Sequence, residues 1–124
     1  MPTAYGKNLV GADLSNQDLS GKDFSGADFS GANLSGVNLH AANLRGARLS
    51  NVNLKLAFLS EADITCANII NADLSYASLS RANLCDSFIG DVIFEGASLI
   101  DTNLSRAPIK NTTFYQANLC RAIL

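Results

Sequence analysis

The chain has 124 residues, 9 Lys and Arg against 11 Asp and Glu, a net charge of -2 and no Trp. A chain of that length indicates one domain, and so even a balance of charge excludes a strongly basic nucleic-acid binder and an acidic tail. No apolar run approaches the roughly 20 residues that span a bilayer, because a polar or small residue recurs every few positions.

Met1 to Gly6 contains no basic region followed by an apolar stretch, so it is not a signal peptide. The cytoplasm is the expected compartment, although a removed targeting segment would leave no trace. With Pro2 and Gly6 in it, this stretch reads as an N-terminal lead-in over residues 1–6. From Lys7 onward a five-residue unit takes over and runs to Leu124, so residues 7–124 read as one repeat domain. The unit is plainest from Asp23 to Ser35, DFSGADFSGANLS. Its centres step by five from Leu9 through Leu14, Leu19, Phe24 and Phe29 to Leu124, and every one is Leu, Ile or Phe. Two places before each centre stands mostly Ala, with Ser87, Thr102 and Thr112 among the exceptions. One place before it is often Asp or Asn, and after it come Ser and then Gly, Asn or a charged residue.

A period of five matches neither the 3.6 of a helix nor the 2.0 of a strand, so either element would smear the apolar series over every face. A coil that turns every five residues does not. The large residue and the small one two places earlier then both point to the axis, and the other three point outward. Asp, Asn, Ser and Gly suit the turns, through side-chain bonds to the backbone or through positive φ.

This pattern resembles the pentapeptide-repeat family, whose consensus A(D/N)LXX stands here as ADLSN at 12–16, ADFSG at 27–31, ANLSG at 32–36, ANLRG at 42–46, ADLSY at 72–76 and ANLCR at 117–121. The resemblance implies an all-β fold, a right-handed quadrilateral parallel β-helix with four pentapeptides per coil. Its 24 centres then make about six coils. At about 4.8 Å between coils the rod is about 29 Å long.

Stacking in steps of twenty is tested by the sequence itself. Leu19, Leu39, Leu59, Leu79, Leu99 and Leu119 form an all-Leu column. Asp23, Asn43, Asp63, Asn83 and Asn103 form a column, read as a corner, in which no Asp follows another. Asn51, Asn71, Asp91 and Asn111 suggest a ladder of stacked amides. Glu61, Arg81, Asp101 and Arg121 alternate in sign with every coil.

His40, the single histidine, shares a column with Ser20 and Ser60, and Glu61 lies beside Ser60. A Ser-His-Glu site is geometrically conceivable. That column faces solvent on a flat wall, however, and no loop supplies an oxyanion hole, so no catalytic residue is assigned. One His and scattered Cys make no closed ligand set, so no metal and no cofactor is expected. The three cysteines show no CxxC spacing. Cys66 and Cys85 fall on neighbouring coils at nearly matching positions, close enough for a disulfide, the alternative being two reduced thiols; Cys120 has no such neighbour. Asp13, Asp18, Asp23 and Asp28 place one carboxylate at each corner of the first coil, which reads either as an acidic docking end or as turn chemistry.

Several outward positions carry apolar residues: Leu56, Phe58, Ile70, Tyr76, Phe88, Ile93, Ile100 and Tyr115. Leu56 and Tyr76 share a column and Phe58 lies round the adjacent corner, so these three are the candidate interaction patch.

Some members of the family resemble DNA in shape and charge and bind type II topoisomerases such as gyrase; others, abundant in cyanobacteria, have no assigned function. The resemblance therefore implies, first, a structural or protein-interaction module without catalytic activity, whose partner is an unidentified protein and not nucleic acid or membrane. A DNA mimic that binds gyrase is the alternative, weakened by the near balance of charge, and an enzyme is a distant third. Bare end coils suggest a monomer or an end-to-end homodimer.

Overall fold

Every fifth residue from Gly6 to Arg121, eight glycines and sixteen other residues, has a left-handed backbone with φ between 49° and 69°. These are the corners of the fold. From Gly11 on, each stands two places after a centre, and in most units the next small residue donates its N–H to the centre's carbonyl, as Ala12 does to Leu9 at 3.1 Å and Ala42 to Leu39 at 3.0 Å. A left-handed third residue in a four-residue turn so closed is the geometry of a type II turn. The computed structural model describes residues 6–124, so the lead-in lies outside the described residues except for Gly6, which already takes the corner conformation.

The residue before each centre, read from the sequence as a corner, instead belongs to a wall. It forms parallel bridges to the residues twenty before and twenty after it, in four ladders that begin Asn8↔Asp28, Asp13↔Asn33, Asp18↔Asn38 and Asp23↔Asn43. Its carboxylate or amide turns back on the chain, as in Asp13 Oδ1, which accepts from the N–H of Ser15 at 3.1 Å and from its hydroxyl at 2.8 Å. Asp and Asn are thus selected to steady the turn from the wall side, where such a side chain reaches an N–H two residues on. Up to Leu104 the N–H of each corner and each centre points to the next coil, as in Leu39 N–H to Phe58 C=O at 2.7 Å and Gly26 N–H to Arg45 C=O at 2.8 Å. Those bonds hold the left-handed corners where the residue is not glycine, against about 1–2 kcal/mol of steric cost for an L side chain.

Because the chain bends after so few residues, only two short runs among the described residues are strands, β1 (Ile89–Gly90) and β2 (Ile109–Lys110), paired in parallel as Ile89↔Ile109 and Gly90↔Lys110. Both begin at an Ile centre, and β-branched side chains favour extended backbone. Pro108 has no N–H to continue the ladder of Asn68 and Phe88, yet its carbonyl still accepts from Ile89 N–H at 3.0 Å.

The centres and small residues fill the interior from Phe24 to Leu104. Phe24 meets Phe29 edge to face at 5.4 Å, and Phe94 stacks on Phe114 at 5.2 Å. Of the three hydroxyls that replace Ala in the small slots, Ser87 and Thr102 are buried, and both are bonded. Thr102 donates to the Leu79 carbonyl at 2.7 Å, and Ser87 donates to the carbonyl of Ile64. In the first coil the small slots hold Lys7, Gln17 and Lys22, all exposed, so their polar ends stay in water.

At Gly96 the missing side chain makes room for a ring. A Cβ there would run into the ring of Tyr76, whereas one on Gly21, also left-handed, would meet nothing within 4 Å. Gly21→Ala is expected to lose about 1 kcal/mol to backbone strain alone. Gly96→Ala is expected to lose more in thermal melts, and pairing it with Tyr76→Ala brings its loss back to that of Gly21→Ala. A double mutant as unstable as Gly96→Ala itself would contradict the contact.

Candidate protein-interaction surface

Leu56 and Tyr76 both stand at corners, in the column Asn16, Gly36, Leu56, Tyr76, Gly96 and Gln116. Their amides are pinned to the next coil, Leu56 N–H to Ser75 C=O at 3.0 Å and Tyr76 N–H to Glu95 C=O at 2.8 Å. Two residues past Leu56, across the corner, Phe58 bridges Asn38 and Ser78 in the third ladder. With interior positions on either side of them, at Leu54, Ala57 and Leu59, these side chains have only solvent to face. They are 61%, 55% and 56% exposed for Leu56, Phe58 and Tyr76. The Tyr76 ring lies over Gly96, so a glycine beneath it leaves a flat seat. Beside the patch Lys55 pairs with Asp73 at 3.5 Å.

Of the other outward apolar residues, Phe88, Ile93 and Tyr115 are exposed, while Ile70 and Ile100 are half-buried. Val10, Ile109 and Ile123 are also exposed. Ile109 is a centre that reaches the surface because the coil containing it has no further coil against it.

Four surface carboxylates, Glu61, Asp73, Asp86 and Asp101, pair with a Lys or Arg. Glu61 meets Arg81 at 3.1 Å and lies 3.9 Å from His40, and Asp101 takes Arg121 in two bonds at 2.7 and 3.0 Å. The alternating column thus resolves into two pairs. A further pair, Asp86 with Arg106 at 2.9 and 3.1 Å, follows the same twenty-residue step and escaped the sequence reading because its column begins with Gly and Cys. The Arg121 hydrogen bond holds the Asp101 carboxyl below its usual range, and Arg106, then Cys85, do the same for Asp86. The hydroxyls of Ser15, Ser20 and Ser30 lower Asp13, Asp18 and Asp28, of which Asp28, expected in the first coil, stands in the second, bridged to Asn8. These carboxylates therefore serve their own turns.

Beside His40, Ser60 shares a hydrogen bond with Ser78 at 3.0 Å. That bond directs Ser60 along its own wall. The expected neighbours Cys66 and Cys85 are two free thiols, one position out of step, with Cys66 on a corner and Cys85 just before one. Cys85 Sγ is engaged elsewhere, accepting from Arg106 Nη2 at 2.9 Å. Among the described residues no group of three or more His, Cys, Asp or Glu is placed to hold a metal ion. Nor do they contain a helix long and apolar enough to cross a membrane.

Comparison with solved structures agrees with this architecture. QnrB1, a plasmid-mediated fluoroquinolone resistance protein studied in trypsin-treated form, is 20% identical with a TM-score of 0.56, over 95% of this chain and 67% of its own. That likeness shows the fold. HetL, a pentapeptide repeat protein involved in heterocyst differentiation regulation in Nostoc sp. strain PCC 7120, is 26% identical over 97% of this chain, with a TM-score of 0.42, and this chain spans 62% of HetL's length. Rfr23 from Cyanothece 51142 is 25% identical over 96% of this chain and 88% of its own, with a TM-score of 0.45. No curated protein sequence matches the chain. The family model for pentapeptide repeats matches residues 8–46, 42–80, 77–114 and 91–124, in 8 copies. The five-residue unit, the corner in each unit and that match agree: the chain belongs to the pentapeptide repeat family.

Proposed function

We propose that this protein is a non-enzymatic protein-binding module, a right-handed, four-sided rod of about six coils over residues 7–124, monomeric or paired end to end, that meets a protein partner at Leu56, Phe58 and Tyr76. The observation that carries this reading is the exposure of those three large side chains together, at positions where other coils hold Gly, Asn, Asp, Gln or Ser. Binding would bury the flat Tyr76 ring and the two apolar neighbours, the kind of anchor that dominates protein interfaces. A DNA-like surface for a type II topoisomerase is the second reading. The fold it shares with QnrB1 favours it. Its surface charge opposes it, since Glu61, Asp86 and Asp101 each face an arginine.

Capture of partners from lysate, with a variant changed to Ser at Leu56, Phe58 and Tyr76 as control, tests the first reading. The partner is expected to be lost while the thermal unfolding midpoint stays near that of the parent. Retained binding by the triple variant would sink the patch. In a gyrase supercoiling assay no inhibition is expected; inhibition that weakens with rising salt would promote the second reading.

A further inference from the structure

The corner after the fourth ladder carries thiols on successive coils. Cys66 is exposed at a left-handed corner with φ 59°, and Cys85 sits just before the next corner, mostly buried. Their backbones are directly bonded, Cys66 N–H to Cys85 C=O at 3.1 Å. A strand spacing of about 4.8 Å and a one-residue offset of about 3.3 Å put the α-carbons about 5.8 Å apart. Disulfides span about 4.4–6.8 Å. Cys85 Sγ faces the following coil, lying 3.5 Å from Asp86 Oδ2 and 2.9 Å from Arg106 Nη2, so closing to Cys66 requires it to change rotamer toward the preceding coil. Ser105 Oγ adds a contact at 3.6 Å. Arg106 keeps its two bonds to Asp86 when the sulfur turns away.

We propose that Cys66 and Cys85 are a modification site for hydroperoxides, closing to a disulfide that ties two adjacent coils. Cys66 sulfur attacks the O–O bond, an alcohol or water leaves, and a sulfenic acid remains on Cys66. Cys85 sulfur then attacks that sulfur, the S–O bond breaks, and water departs with the Cys85 proton. The two thiols together lose two electrons and the peroxide gains them. Cys120 takes no part, because it lies on another wall, beside Arg121.

Hydrogen peroxide added to the protein tests this, with free thiols counted after denaturation and peptides mapped without reductant. The count is expected to fall from three to one, with Cys66 joined to Cys85 in one chain, a raised unfolding midpoint, and full reversal by dithiothreitol. In Cys66→Ser the rise in midpoint should vanish and Cys85 should stay a thiol. Three surviving thiols, a sulfinic acid on Cys66 beside an intact Cys85 thiol, or cross-links only between chains would each overturn the proposal.

Discussion

Leu59→Ala is expected to destabilise the protein by about 2–5 kcal/mol in denaturant melts. Leu59 is fully buried in the column between Leu39 and Leu79, and its own N–H is bonded to Ser78 C=O at 2.7 Å. Removing the side chain deletes contacts above, below and across the shaft. The walls cannot close on the gap, because the backbones of Leu39, Leu59 and Leu79 are each tied to the next coil, so the loss belongs in the upper part of that range. The neighbouring Ser60→Ala is the control. Ser60 is half-buried and shares one bond with Ser78 at 3.0 Å, so about 1 kcal/mol is expected to go with it. Equal losses at the two positions would contradict the division between inward and outward residues.

Ala77→Leu should cost about 3 kcal/mol, the upper end of what overpacking a rigid core costs. Ala77 is fully buried between Ala57 and Ala97 in the column of small residues. Coils spaced about 4.8 Å apart leave no height for three more carbons. Gln116→Leu adds a residue of the same kind at an exposed corner, in the column where Leu56 already stands. That change is expected to stay within about 0.5 kcal/mol. Chemical or thermal melts of the two variants separate the cases. If Ala77→Leu were as mild as Gln116→Leu, the small column would not be packed as the structure has it.

Much of this was legible in the sequence because it depends on counting. The step of five places Leu59 and Ala57 inside, and the step of twenty places Glu61 above Arg81, whatever the details of the turn. Where the bend falls was not legible. Both the residue before the centre and the one two after it are rich in Asp, Asn or Gly, and composition alone does not tell a side chain that steadies a turn from a backbone that makes it. The structure separates them: Asp13 bridges in a wall, and Gly11 and Asn16 are the left-handed corners. Side-chain direction was equally out of reach. Column arithmetic puts Cys66 near Cys85, but the pull of Arg106 on the Cys85 sulfur depends on rotamers that a periodic pattern does not encode. Of the candidate surface, the position of Leu56, Phe58 and Tyr76 was readable, and the seat that Gly96 offers Tyr76 was not.

One left-handed corner in every five residues also governs how such a chain can change length. Adding or deleting one residue between corners would turn the following side chains inside out, so that a Leu meant for the shaft faces water. Adding five restores inside and outside but rotates everything beyond it by one wall, parting whichever pair it falls between, Glu61 from Arg81 or Asp101 from Arg121. Only a change of twenty keeps both the filling of the shaft and the pairing along its walls, so this rod grows or shrinks without penalty by whole storeys.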